Sequence, residues 1–299
     1  MTALPAGATI AFVGLGNMGT PMSGHLVDAG FRVQGFDVSA DARARLAEHG
    51  GVAAADLGAA VATATVVVLM LPDSGVVERV LRDEQAVRGL PSGTVVVDMS
   101  SSEPLRTKDL AVELAERGVS LVDAPVSGGV ARARTGKLTI MAGGDAEVIA
   151  ELGPLFGPLG TVTHTGPVGA GHAIKALNNL LSATHLLATA EAMQAGERFG
   201  LDPEVMLAVI NSSSGRSGST ENKWPNFVLT EKYDSGFGLR LMLKDMRIAV
   251  GLAERVGAPS RLSADAVELW AQAAEALPDS ADHTELARWV RALADQETD

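Results

Sequence analysis

The chain has 299 residues, 46% hydrophobic and 20% charged, which exceeds the usual single-domain length and excludes a disordered chain with too little apolar surface to fold. Its 24 Lys and Arg against 36 Asp and Glu give a formal net charge of −12, which repels phosphate backbones and anionic membranes and argues against nucleic acid as a partner. No cysteine is present and the six histidines form no HExxH, so disulfides, thiolate metal sites and cysteine nucleophiles are excluded and no metal is expected.

The N-terminus lacks a basic segment before its first apolar run, and no apolar stretch reaches about 20 residues. A cytoplasmic location without membrane contact is therefore expected. The first element is the apolar run TIAFVG, which leads through Gly14, Leu15, Gly16, Asn17, Met18 and Gly19 into a helix. A G-x-G-x-x-G pattern between strand and helix is the dinucleotide fingerprint: one glycine for a tight turn, one for close approach of a pyrophosphate, one for helix packing. The next strand, RVQGFDV, ends at Asp37, where an acidic residue accepts from the adenosine ribose. A carboxylate there repels a 2′-phosphate, so NAD is expected, with NADP second. Arg43 and Arg45 follow and are read as the exposed face of a helix beginning near Asp41.

Two loops, MLPDSGVV and DMSSSEP, leave the C-terminal ends of further apolar strands, the edge at which open α/β sheets bind ligands. Leu71, Pro72 and Ser101 are candidates to line the cofactor, while Ser102 and Glu103 suit a helix start. The next strand leads into Ser127, Gly128 and Gly129, a run whose bare backbone N–H groups and hydroxyl either form a carboxylate receptor or serve as a flexible loop. Arg132, Arg134 and Lys137 come next. They either contact a second acidic group or lie on a solvated turn, since alternating arginines of an extended segment cannot share one cleft. Strands KLTIMAGG and TVTHTG complete a series in which strands alternate with helices, implying a mostly parallel α/β sheet of Rossmann type.

From about residue 169 the strand signals stop and helical spacing takes over. Gly166, Pro167, Gly169 and Gly171 mark the change, giving a dinucleotide-binding domain over 1–167 and an all-α domain over 168–299. The latter opens with GAGHAIKALNNLL, which gathers Lys175, Asn178 and Asn179 on one side of a helix. This is either a solvated polar face or a cation and amides brought together for chemistry. His172 either faces the same site or serves the helix end. NSSSGRSGSTENKWP is read as a polar loop whose Arg216 either meets a substrate carboxylate or is an exposed loop arginine, Asp282 as a helix cap, and Trp270, Trp289, Met242 and Met246 as core or subunit packing residues.

GLGNMGTPM, DAPVSGG, GAGHAIKALNNLL and LMLKDM, in this order and spacing, resemble the β-hydroxyacid dehydrogenases, the family of 3-hydroxyisobutyrate dehydrogenase and tartronate semialdehyde reductase. The resemblance implies that Ser127, Gly128 and Gly129 bind substrate, Lys175 is catalytic, Asn179 orients the substrate with Asn178 in support, and Lys244 lies beside the cofactor. Ser101 stands where the family often has threonine. The implied activity is hydride transfer between NAD and a small 3-hydroxy acid, with Lys175 as general acid and base. A lysine of ordinary pKa, about 10.4, has to be lowered for that role near neutrality. The alternatives are a tartronate or succinic semialdehyde reductase of the same family, and a non-catalytic dinucleotide-sensing protein, which has no need of Lys175 and Asn179. A homodimer or homotetramer formed through the helical domain is expected.

Overall fold

The computed structural model describes residues 4–296. The chain forms two compact units, Met1–Lys175 and Ala176–Asp299. The expected change of domain after residue 167 lies just before the helix Ala170–Phe199, whereas compactness divides the chain within that helix.

The first unit is built on nine strands: β1 (Thr9–Val13), β2 (Arg32–Phe36), β3 (Val52–Ala53), β4 (Val66–Leu69), β5 (Val95–Asp98), β6 (Ser120–Asp123), β7 (Val126–Ser127), β8 (Leu138–Gly143) and β9 (Gly160–Gly166). They run in the order β3-β2-β1-β4-β5-β6-β8-β7, with β9 on β8. From β3 to β6 every pairing is parallel; β8 is antiparallel to both β6 and β7 and parallel to β9. β4 and β5 read VVVL and VVVD and are buried throughout, the pattern of parallel strands covered by helices on both faces. Alternate residues feed two cores, Phe12, Val68 and Val97 on one face and Ala11, Val67 and Val96 on the other. The strand order reverses between β1 and β4, which opens a crevice at their C-terminal ends.

Two details depart from the sequence reading. The run SLVDAPV is two strands, because Pro125 has no N–H to continue the ladder and its carbonyl instead accepts from Met141. β3 has only two residues, both exposed, too short for a period to register.

The second unit is helical. The remainder of the helix Ala170–Phe199 is joined by Pro203–Asn211, Leu239–Arg255, Arg261–Ala276 and Leu286–Gln296. Trp270, Trp289, Met242 and Met246 lie in its core, as expected. Part of the expected polar loop is in fact a wide π-type helix, Ser219–Val228. Its polar composition and internal Pro225 conceal it, yet Trp224 and Val228 enter the core from it. Asp282 caps the short turn His283–Glu285 through a reciprocal capping box with Glu285.

Candidate active site

The glycine loop after β1 is fixed by backbone contact. A Cβ on Gly14, which has φ +97°, would stand 2.2 Å from the Met70 carbonyl oxygen, and one on Gly19 would stand 1.9 Å from that of Gly14. Gly16 differs, with no atom within 4 Å of where its Cβ would be. The helix Gly19–Asp28 begins here without a side-chain cap; Thr20 N already donates to the Gly16 carbonyl at 2.9 Å and Pro21 has no N–H, so the attraction for an anion rests on the positive end of the helix rather than on these two residues. Asp37 closes the loop from β2. One carboxylate oxygen accepts from Leu15 N at 2.7 Å and the other from Ser39 N at 2.8 Å. Each oxygen keeps a lone pair for a ribose hydroxyl. Arg43 is half-buried, donates to the Asp37 carbonyl and lies 5.8 Å from the Phe36 ring centroid. Arg45 is exposed and lines a 720 Å³ cavity beside the glycine-loop helix with Asn17, His25, His49 and Arg134.

After β4, the Leu71 N–H donates to Ser100 Oγ at 2.9 Å, and Pro72 is exposed. After β5, the buried Asp98 accepts from Ser100 N and from Ser102 Oγ, both at 2.9 Å. Ser102 is therefore turned inward and does not cap a helix; Pro104–Ala115 follows Glu103 with no side-chain cap. Ser101, between the two serines, is half-buried.

Asp123, at the end of β6, is fully buried. Its carboxylate oxygens accept from Gly169 N at 2.6 Å and His172 N at 2.8 Å, satisfying two of the first donors of the helix Ala170–Phe199. Burial pushes this carboxyl up, against the pull of His172 and of the backbone donors. The His172 ring bonds Thr107 Oγ1 of the helix Pro104–Ala115 at 2.9 Å, and its Nε2, 3.6 Å from Asp98 Oδ2, makes no hydrogen bond. A Cβ on Gly171 would stand 2.1 Å from the Met141 carbonyl oxygen. The helix start is thus clamped to the ends of β6 and β8. Lys175 follows one residue-turn after His172 and is buried, 9% exposed.

Ser127 belongs to β7 and pairs with Thr139 of β8. Gly128 and Gly129 have φ +124° and +64°, backbone that side chains rarely adopt. The chain then enters a helix, Gly129–Arg134, which corrects the extended reading of the arginines. Arg132 is exposed and lays its stem over Gly128, whereas Arg134 turns to the cavity beside the glycine loop.

In the second unit, Asn179 is buried and donates from Nδ2 to Asp245 Oδ2 at 2.6 Å, while its Oδ1 accepts from Asn178 Nδ2 at 3.2 Å. Lys244 Nζ lies 3.2 Å from Asp245 Oδ1. Arg216, on an exposed turn, pairs with Glu221 at 3.5 Å. Asp98, Asp123 and Asp245 were not picked out by sequence reasoning. Asp123 and Asp245 stand within DAPVSGG and LMLKDM, but their partners are 46 to 66 residues away. Among the described residues there is no cluster of three or more metal-ligating side chains and no helix long and apolar enough to cross a membrane.

The fold and the glycine loop define an NAD(P)-binding oxidoreductase, and comparison with known proteins agrees. Residues 9–166 match the NAD-binding domain of 6-phosphogluconate dehydrogenase, and residues 169–290 the NAD-binding family of NADP-dependent 3-hydroxyisobutyrate dehydrogenase. The chain belongs to the β-hydroxyacid dehydrogenase family. It is 36% identical over 263 residues to 2-(hydroxymethyl)glutarate dehydrogenase of Eubacterium barkeri, covering 87% of each chain. It is 38% identical over 269 residues to NAD-dependent L-serine dehydrogenase of Pseudomonas aeruginosa, covering 87% of this chain and 90% of that one. A structure of Mycobacterium tuberculosis 3-hydroxyisobutyrate dehydrogenase with L-serine superposes with a TM-score of 0.90 at 32% identity, covering 97% of this chain and 100% of that one.

Proposed function

We propose that the protein interconverts a small 3-hydroxy acid and its semialdehyde using NAD, with Lys175 as the general acid and base. The observation that carries this reading is the clamp on the helix start: Asp123 holds Gly169 N and His172 N, tying the segment that bears Lys175 to the sheet edge that also bears the glycine loop and Ser127. A buried lysine on so constrained a segment suits proton transfer better than a solvated face does.

The residues present fit a dinucleotide. The open space at Gly16, the uncapped helix start and the spare lone pairs of Asp37 match a pyrophosphate and a ribose. When bound, the nicotinamide accepts hydride in the oxidative direction and donates it in the reductive one. Lys175 takes the hydroxyl proton on oxidation and returns it to the carbonyl oxygen on reduction, a role typically worth 10² to 10⁴ in rate. Asn179 has one amide N–H committed to Asp245 and presents the other to a substrate oxygen. Ser127 Oγ and the N–H groups of Gly128 and Gly129 receive the substrate carboxylate. The Asp37 carboxylate favours NAD over NADP by repelling a 2′-phosphate, while Arg43 is occupied by the Asp37 carbonyl.

The test is a panel of 3-hydroxy acids offered with NAD and with NADP, followed by absorbance of the reduced cofactor. Turnover with NAD at a higher kcat/KM than with NADP is expected. Cofactor binding without turnover of any hydroxy acid would leave the dinucleotide-sensing alternative in its place.

A further inference from the structure

His172 is a fully buried histidine of the first compact unit to which the proposed chemistry gives no part. It faces two carboxylates that are equally buried, Asp98 at the end of β5 and Asp123 at the end of β6. Its Nε2 lies 3.6 Å from Asp98 Oδ2, and its Nδ1 3.8 Å from Asp123 Oδ2. Thr107 fixes the direction of its one hydrogen bond. The Thr107 hydroxyl has a single proton and donates it to the Glu103 carbonyl at 3.1 Å, so at 2.9 Å from His172 Nδ1 it accepts, and Nδ1 carries a hydrogen.

In a neutral ring, Nε2 would then be a bare lone pair, turned towards a carboxylate oxygen with no donor of its own among the described residues. Two buried acceptors facing each other repel, whereas a hydrogen on Nε2 makes them a pair of opposite charges. An imidazole is ordinarily a stronger base than a carboxylate, so that proton belongs to the ring and not to Asp98. The positive end of the helix opposes the charge with roughly half an elementary charge. Two carboxylates outweigh it.

We propose that His172 is doubly protonated, an imidazolium that braces the start of the helix Ala170–Phe199 against the ends of β5 and β6 and screens Lys175 from the carboxylates there. The brace extends to the neighbouring loops, because Asp98 also accepts from Ser100 N, and Ser100 Oγ from Leu71 N. Lys175 follows His172 by three residues, on the same face of the helix. With a neutral ring the helix start would meet two negative charges; with an imidazolium it meets one net. Lys108, from the same helix as Thr107, lays its stem over Gly169 and is a further cation at this helix start. Less negative charge beside an ammonium loosens its proton, which is what a lysine acting as a base near neutrality needs. The screening role rests on the functional reading above; the two protons on the ring do not.

The experiment is nitrogen-15 NMR of the full chain labelled at histidine, at pH 7, with the His172 ring assigned through its contact with Thr107. Wild type is expected to show an N–H on both ring nitrogens, and Asp98→Asn on Nδ1 alone. A single hydrogen in wild type, or both retained in Asp98→Asn, overturns the inference. The second readout is the pH dependence of kcat/KM for oxidation of the best hydroxy acid with NAD, which rises as Lys175 loses its proton. His172→Gln leaves both carboxylates unopposed and is expected to move that rise upward by at least about half a pH unit. A purely structural role would lower kcat at every pH and leave the rise in place, and that result overturns the screening. Failure of the underlying reading has a separate signature, retained turnover in Lys175→Ala, on which the NMR result does not depend.

Discussion

Gly16 and Gly19 share a motif but answer to different demands. A methyl group on Gly19 meets backbone that cannot yield, whereas one on Gly16 points into open space. Gly19→Ala is therefore expected to lower the melting temperature, and Gly16→Ala to leave it near wild type. NAD should then stabilise wild type against heat, as any ligand of the native state does, and fail to stabilise Gly16→Ala. A full thermal shift in Gly16→Ala would place the pyrophosphate elsewhere. Lys223, in the helix Ser219–Val228 with Ser182 as its hydrogen-bond partner, makes the opposite kind of prediction, because its removal should help the fold. Burial lowers its folded pKa to about 8, below the ordinary 10.5, so the native state holds fewer protons than the unfolded one between these values and gains stability as pH rises. Lys223→Met is expected to melt above wild type at pH 7, with the gap closing towards pH 10.5; differential scanning calorimetry across that range measures it. At this scale the sequence was legible where partners are close. The glycines and Asp37 act within one βαβ unit, and their spacing carries the information. Lys223 meets Ser182 from 41 residues away, and no local pattern distinguishes it from a surface lysine.

The helix Ala170–Phe199 is the element on which the functional reading turns. Its glycine-rich start looks like a linker in the sequence and is a clamp in the structure: Gly171 has no room for a side chain, and Asp123 supplies the cap that no neighbouring residue does. Asp123→Asn keeps the volume but sets an amide N–H against a backbone N–H. Such a buried mismatch costs about 1–3 kcal/mol. Loss of stability together with a fall in kcat larger than any rise in KM is expected, measured by thermal melts and steady-state kinetics; wild-type kcat in a destabilised protein would show that the clamp does not position Lys175. Strands were legible because β-branched runs such as VVVL and VVVD have few other uses. The helix Gly129–Arg134 was not, since two left-handed glycines redirect the chain immediately before it. Nor was the π-type helix, whose period is outside the patterns that polar and apolar spacing reveals.

At the scale of the whole molecule, the absence of cysteine rules out disulfides, and the change from strand to helical spacing near residue 169 marked its two-part organisation. The central claim is proton transfer by Lys175. It is tested most directly by comparing wild type and Lys175→Ala in two readouts, kcat for the best hydroxy acid and the dissociation constant for NAD. The account predicts that kcat falls by at least about 10² while NAD affinity stays within threefold. Wild-type kcat in Lys175→Ala would contradict it.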